Sequence, residues 1–178
     1  LGITNVSCDT FSQFIPYNAV FTTDANAAII AEMNNASKRS ATVYLSLSNS
    51  VGGAIFTEVS NSQDDVQIIE NLYIGESYRS GEFGHMTLVP GGRKCYCGKI
   101  GCMDSYCSAK ALTDHTDGKL EIFFSELENN NLEIQKIWDE YLSYLAIAVN
   151  NLRMAFDCQV IVGGYVGSLI EPYIADLQ

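Results

Sequence analysis

The segment from Gly81 to Cys102 reads GEFGHMTLVPGGRKCYCGKIGC and gathers one imidazole, His85, with three thiols, Cys95, Cys97 and Cys102. These four soft or borderline ligands match a closed tetrahedral zinc site in number and type. Gly98 and Gly101 lie between the last two cysteines, where a chain folding round an ion has to turn tightly. Pro90, Gly91 and Gly92 form a breaker cluster that returns the chain from His85 towards Cys95. The competing reading is a set of buried thiols or disulfides. It is weaker, because a bond between Cys95 and Cys97 across one residue would be strained. Cys8, Cys107 and Cys158 follow no framework spacing, and 6 cysteines in 178 residues is dilute for a small secreted scaffold. Four protein ligands leave no open position for an activated water, so the expected zinc is structural and not catalytic.

The composition bounds what surrounds this motif. A chain of 178 residues with 47% apolar and 17% charged residues can pack one sizeable domain or two small lobes. No apolar run reaches the roughly 18 residues of a membrane span. The opening LGITNVSC has no basic region or signal-peptide pattern, and zinc thiolates suit a reducing, cytoplasmic setting. A net charge of −11 repels phosphate backbones. Arg93-Lys94 is the densest basic spot, so DNA binding would have to come from a domain not in this chain.

Periodicity supplies the elements that must position the motif. Val20-Phe21 reads as the end of a short strand, and Asp24–Asn35 as a helix with Asp24 capping its start. Ala41–Leu47 and Val51–Val59 read as a hairpin turning at Ser48-Asn49-Ser50. Short strands are expected at Asn71–Gly75 and Met86–Val89. Helices are expected over Met103–Leu112, Lys119–Leu127 and Leu132–Phe156. The last carries a continuous apolar stripe including Trp138 and Tyr141, which reads as core. Gln159–Val162 reads as a buried strand, and Ser168 as the cap of a final helix to Asp176. His115 and Asp64-Asp65 read as surface. Strands alternating with helices indicate an α/β or α+β architecture.

The pattern G-E-x-G-H followed by C-x-C-G-x-x-G-C-x-[ED] resembles the signature of the ROK family of bacterial transcriptional repressors and sugar kinases. Thr23-Asp24-Ala25-Asn26-Ala27-Ala28 is similar to the family's N-D-A-N-A-A segment. Tyr44–Phe56 is similar to its strand, glycine-rich phosphate loop and strand, and Gly163-Gly164 to a late glycine pair. The resemblance implies an α/β chain with a partial actin-like (ribonuclease H-like) ATPase fold, two-lobed, with a zinc-bearing loop. Residues 1–60 would be the remainder of an N-terminal lobe and 61–178 the C-terminal lobe. The family's opening phosphate strand-loop and any DNA-binding domain would lie outside the chain.

By the same resemblance, Asp24 would be the base that accepts the sugar hydroxyl proton in a kinase. Thr23, Asp24, Glu82, His85 and Asp104 would contact sugar hydroxyls. His85 would place one ring nitrogen on zinc and the other towards the sugar, since a metal fixes tautomer and ring orientation. Three departures from the family pattern stand out. Thr23 replaces an Asn, and Asp104 replaces a Glu. The phosphate loop G-T-G-x-G-G-G is reduced to a remnant in Ser48, Asn49, Ser50, Gly52 and Gly53, with two glycines that admit phosphate lost.

Three functions follow from the resemblance. The first is the sugar-sensing, oligomerising domain of a repressor, supported by the eroded loop. It would bind a sugar or sugar phosphate and would form a homo-oligomer. The second is an ATP- and Mg-dependent kinase acting on a hexose or N-acetylhexosamine 6-hydroxyl, supported by Asp24, Glu82 and His85. The third is a zinc-stabilised interaction scaffold with a non-functional sugar site.

Overall fold

The structure is a computed structural model that describes residues 6–37, 39–57, 69 and 71–177. Its helices are α1 (Asp9–Ser12), α2 (Asp24–Asn35), α3 (Asp104–Cys107), α4 (Ala109–Thr113), α5 (Leu120–Glu128), α6 (Leu132–Phe156) and α7 (Gly164–Gly167). Its strands are β1 (Thr42–Leu47), β2 (Val51–Phe56) and β3 (Gln159–Gly163). Short 3₁₀ turns cover Phe83–His85 and Glu171–Leu177.

Every residue of β1 is buried, so it is the strand covered on both faces and takes the centre of the sheet. The order is β2-β1-β3. β2 runs antiparallel to β1, from Thr42 opposite Phe56 to Leu47 opposite Val51. β3 runs parallel, from Thr42 opposite Gln159 to Ser46 opposite Gly163. The sheet therefore joins strands from both sides of position 60, where the expected lobes divide.

Strand alternation sends alternate β1 side chains to opposite faces. On one face Tyr44, Ala54 and Phe56 meet Ala25, Ile29 and Met33 of α2. On the other, Val43, Leu45, Leu47, Val51 and Ile55 join the core built around α6. The α6 stripe is the expected one: Ile134, Trp138, Tyr141, Leu142, Leu145, Ala148 and Leu152 are all buried. Asn131 caps its start, its side chain accepting from Glu133 N–H at 3.1 Å. Trp138 is 0% exposed and stacks on Tyr141 with centroids 5.4 Å apart. The Tyr141 hydroxyl donates to the Cys107 carbonyl at 2.7 Å, which ties α6 to α3.

Several local expectations are corrected. Thr23, not Asp24, is the N-cap of α2: its side chain accepts from Asn26 N–H at 3.2 Å, and Asp24 is the first helical residue. Val20-Phe21 is not in a strand. Asn71–Gly75 and Met86–Val89 contribute only isolated bridges, Phe56 with Leu72 and Thr87 with Cys102. The helix expected over Met103–Leu112 breaks at Ser108, which is extended (ψ 159°) because the Ala109 N–H leaves to bond Ser48 O at 2.8 Å. Ser168 ends α7 and does not start a helix. Val59 and Asp64-Asp65 lie outside the described residues.

Trp138→Ala removes the largest fully buried side chain and should cost about 3–5 kcal/mol. Chemical denaturation followed by circular dichroism checks this through the shift in midpoint.

Candidate functional site

Two turns bring the four ligands together. After the 3₁₀ turn at Phe83–His85, the chain pairs Thr87 with Cys102. Leu88 N–H donates to Gly101 O at 2.7 Å, and Met103 N–H to Met86 O at 2.9 Å. This ladder places Cys102 beside His85. A tight knuckle follows: Gly98 N–H donates to Cys95 O at 3.0 Å, and Cys95 N–H to Lys99 O at 2.9 Å. Gly98 (φ +90°) and Gly101 (φ +82°) occupy the left-handed region as their spacing suggested. At Gly101 a Cβ would also run into the Val89 carbonyl.

The ligand atoms of His85, Cys95, Cys97 and Cys102 all lie within 4.8 Å of one another. Cys97 Sγ and Cys102 Sγ are 3.8 Å apart, and His85 Nδ1 is 4.0 Å from Cys95 Sγ. A tetrahedral zinc with bonds of about 2.3 Å separates its sulfurs by roughly 3.8 Å, so the donor set fits that ion. The thiols differ in proton affinity. A hydrogen bond from the Lys99 backbone N–H lowers the Cys97 pKa, whereas desolvation pushes Cys102 up to about 12. Cys107, outside the cluster, is also pushed up to about 12 by burial.

Beside the knuckle opens a cleft of about 880 Å³. Thr23 and Asp24 from the start of α2, Gly52 and Gly53 from β2, and Glu82 and Tyr96 from the loop all line it. Asp24 Oδ1 accepts from Ala25 N–H at 2.8 Å, and the carboxylate is exposed to the cleft. The floor is backbone against backbone. A Cβ on Gly53 would strike the Phe83 ring, and one on Gly81 (φ +79°) would strike the Gly53 carbonyl.

The sequence-predicted residues therefore divide. Thr23, Asp24 and Glu82 share the cleft, and so do Ser50, Gly52 and Gly53 of the phosphate-loop remnant. Ser48 sits at the end of β1 against Gly164. His85 and Asp104 are not among the described residues that line the cleft. His85 Nε2 lies 3.4 Å from the Tyr96 hydroxyl. Asp104 is buried, and its Oδ1 accepts from Val51 N–H at 2.7 Å. Sequence reasoning missed Tyr96 and Gly81. The C-x-C spacing offered a signal for Tyr96, because ligands at both flanking positions turn the middle residue the other way.

The described residues thus form an α/β unit in which a Cys₃His cluster lies next to a cleft lined by the carboxylates of Asp24 and Glu82. The pattern of the ROK family matches residues 8–175, and the chain belongs to that family. It is 28% identical over 177 residues to a glucokinase of Halalkalibacterium halodurans, covering 84% of this chain and 50% of the relative. It is 29% identical over 136 residues to the xylose repressor of Bacillus subtilis, covering 74% of this chain and 32% of the repressor. The ROK hexokinase of Thermus thermophilus superposes with a TM-score of 0.68 at 28% identity, over 80% of this chain and 49% of that one. The chain spans about half the length, or less, of these relatives.

In metal-free protein, Cys97 should be alkylated first. Its depressed pKa keeps it reactive as pH falls below the ordinary thiol range, while Cys102 and Cys107 lag. Mass spectrometry of iodoacetamide-treated protein, with and without added zinc, reads the order and the protection.

Proposed function

We propose that this chain is the sugar-sensing part of a ROK-family repressor that binds a sugar or sugar phosphate and oligomerises. The observation that carries this reading is the bond from the Val51 amide to the buried Asp104 carboxylate. Val51 ends the turn at the position where a phosphate loop needs free backbone donors. Here that N–H is already given to an anion, and a fixed negative charge stands behind the turn. With Ser48 and Ser50 in place of glycines, the turn is poorly suited to cradle nucleotide phosphates. The cleft next to it keeps the groups a sugar needs: Asp24 and Glu82 can each accept from two hydroxyls.

In this reading His85, Cys95, Cys97 and Cys102 hold zinc. When bound, zinc supplies a rigid brace and no open coordination position. The ion fixes the loop that carries Glu82 on one side and Asp104 on the other. A kinase is the second reading, favoured by Asp24: its carboxylate faces the cleft beside Glu82, as a base for a sugar hydroxyl would. ATP and Mg would then be required.

Calorimetric titration with glucose, xylose and N-acetylglucosamine, paired with a coupled ADP-release assay in Mg-ATP, separates the two readings. A sensor binds at least one sugar and releases no sugar-dependent ADP. Sugar-dependent ADP release that Asp24→Ala abolishes overturns the sensor reading. Cys97→Ser should lose zinc by elemental analysis and lower Tm by about 5–10 °C. Unchanged metal content and Tm would remove the brace from the proposal.

A further inference from the structure

Among the described residues, four other than glycine hold a left-handed backbone: Tyr78 (φ +56°), Asp117 (φ +49°), Asn130 (φ +57°) and Asp157 (φ +46°). Asp and Asn enter this region readily, because a short polar side chain can bond the local backbone. Asn130 also follows the end of α5, and Asp157 caps the end of α6, donating its N–H to Arg153 O. Tyr78 has neither reason. Its side chain is bulky, and it ends no helix. Burial does not offset the strain either, since the side chain is 80% exposed. A closed loop holds it there: Tyr73 N–H donates to Ile55 O at 2.9 Å, and the Ser80 hydroxyl donates to the Tyr73 carbonyl. Tyr78 lies on the cleft wall, and Glu82, four residues on, lies there too. Building on the sugar-binding reading above, we propose that the Tyr78 ring is a stacking platform for the ligand, receiving the C–H face of a sugar whose hydroxyls go to Asp24 and Glu82.

A sugar ring has two kinds of surface. Hydroxyls project from its rim, and its carbons present C–H groups above and below. Asp24 and Glu82 accept when ionised and take hydroxyls, but they do nothing for the C–H faces. The face of an aromatic ring carries the negative part of its quadrupole. It attracts C–H hydrogens made positive by the neighbouring oxygens, and its flat area removes them from water. Val20, Phe21 and Ile74 also line the cleft, so an acidic lining meets an apolar one, matching the two surfaces of the ligand. Unfavourable backbone conformations persist where surrounding structure fixes them, and they gather at ligand clamps. Here the fixed backbone sets the ring's position before the ligand arrives, so less freedom is lost on binding.

Two variants separate the ring from the backbone beneath it. Tyr78→Asn suits the left-handed conformation and removes the ring, whereas Tyr78→Phe keeps the ring and removes the hydroxyl. Both are titrated calorimetrically with glucose, xylose and N-acetylglucosamine. The Asn variant should bind the sugar preferred by wild type about three- to tenfold more weakly, and the Phe variant within about twofold of wild type. Relief of strain should leave the Tm of the Asn variant at the wild-type value or raise it by about 2–4 °C. A lower Tm in that variant overturns the platform, because the ring would then support the fold. Undiminished affinity in the Asn variant overturns it, and so does an equal loss in both variants, which would make the hydroxyl the contact. Each of these results leaves the sensor reading standing. Failure of wild type to bind any of the three sugars sinks the sugar reading, and the Tyr78 platform with it.

Discussion

Three thiols and an imidazole converge to within 4.8 Å, and that crowding governs the loop they belong to. Without a cation, three thiolates at such separations repel, and their protons divide unequally: Cys97 gives its proton up early and Cys102 holds on to it. A divalent ion removes the conflict by making every thiolate favourable at once. The ladder from Thr87 to Cys102 and the knuckle at Gly98 shape a donor set whose mutual repulsion a divalent ion would relieve.

The loop's order is transmitted by hydrogen bonds rather than by apolar packing alone. Two residues past Cys102, Asp104 reaches the Val51 amide, and at the start of α4 the Ala109 N–H reaches the Ser48 carbonyl. Those bonds grip both ends of the Ser48–Ser50 turn. The same α3 segment is tied to the deepest part of the core through Tyr141 and the Cys107 carbonyl. The segment after Cys102, the hairpin and the long helix are thus joined by buried hydrogen bonds, in which loss of one partner leaves another unsatisfied.

Strong periodicity and ligand chemistry were legible in the sequence. The 25 residues of α6, the α2 helix and the β1–β2 hairpin follow from apolar spacing and turn residues. The convergence of His85, Cys95, Cys97 and Cys102 follows from ligand type and count. The failures have a common physical origin in contacts distant in sequence. Ser108 breaks a helix because Ser48, 60 positions away, claims the next amide (108 − 48). Asp104, a sugar contact by resemblance, also has an oxygen that accepts from the Val51 amide, 53 positions away. His85 has Nδ1 4.0 Å from Cys95 Sγ and Nε2 3.4 Å from the Tyr96 hydroxyl. None of these partners is adjacent in sequence to the residue it diverts.

The cleft floor has a separate implication for how this pocket can change over time. Gly53 and Gly81 press main chain on main chain, so neither position tolerates even a methyl group. The base of the pocket offers amides and carbonyls whose layout is set by the backbone trace, beyond the reach of ordinary substitution. Diversification is channelled to the walls, where Thr23, Tyr78 and Tyr96 stand exposed. Single replacements on those walls alter the lining of the cleft while the glycine contact beneath is left in place.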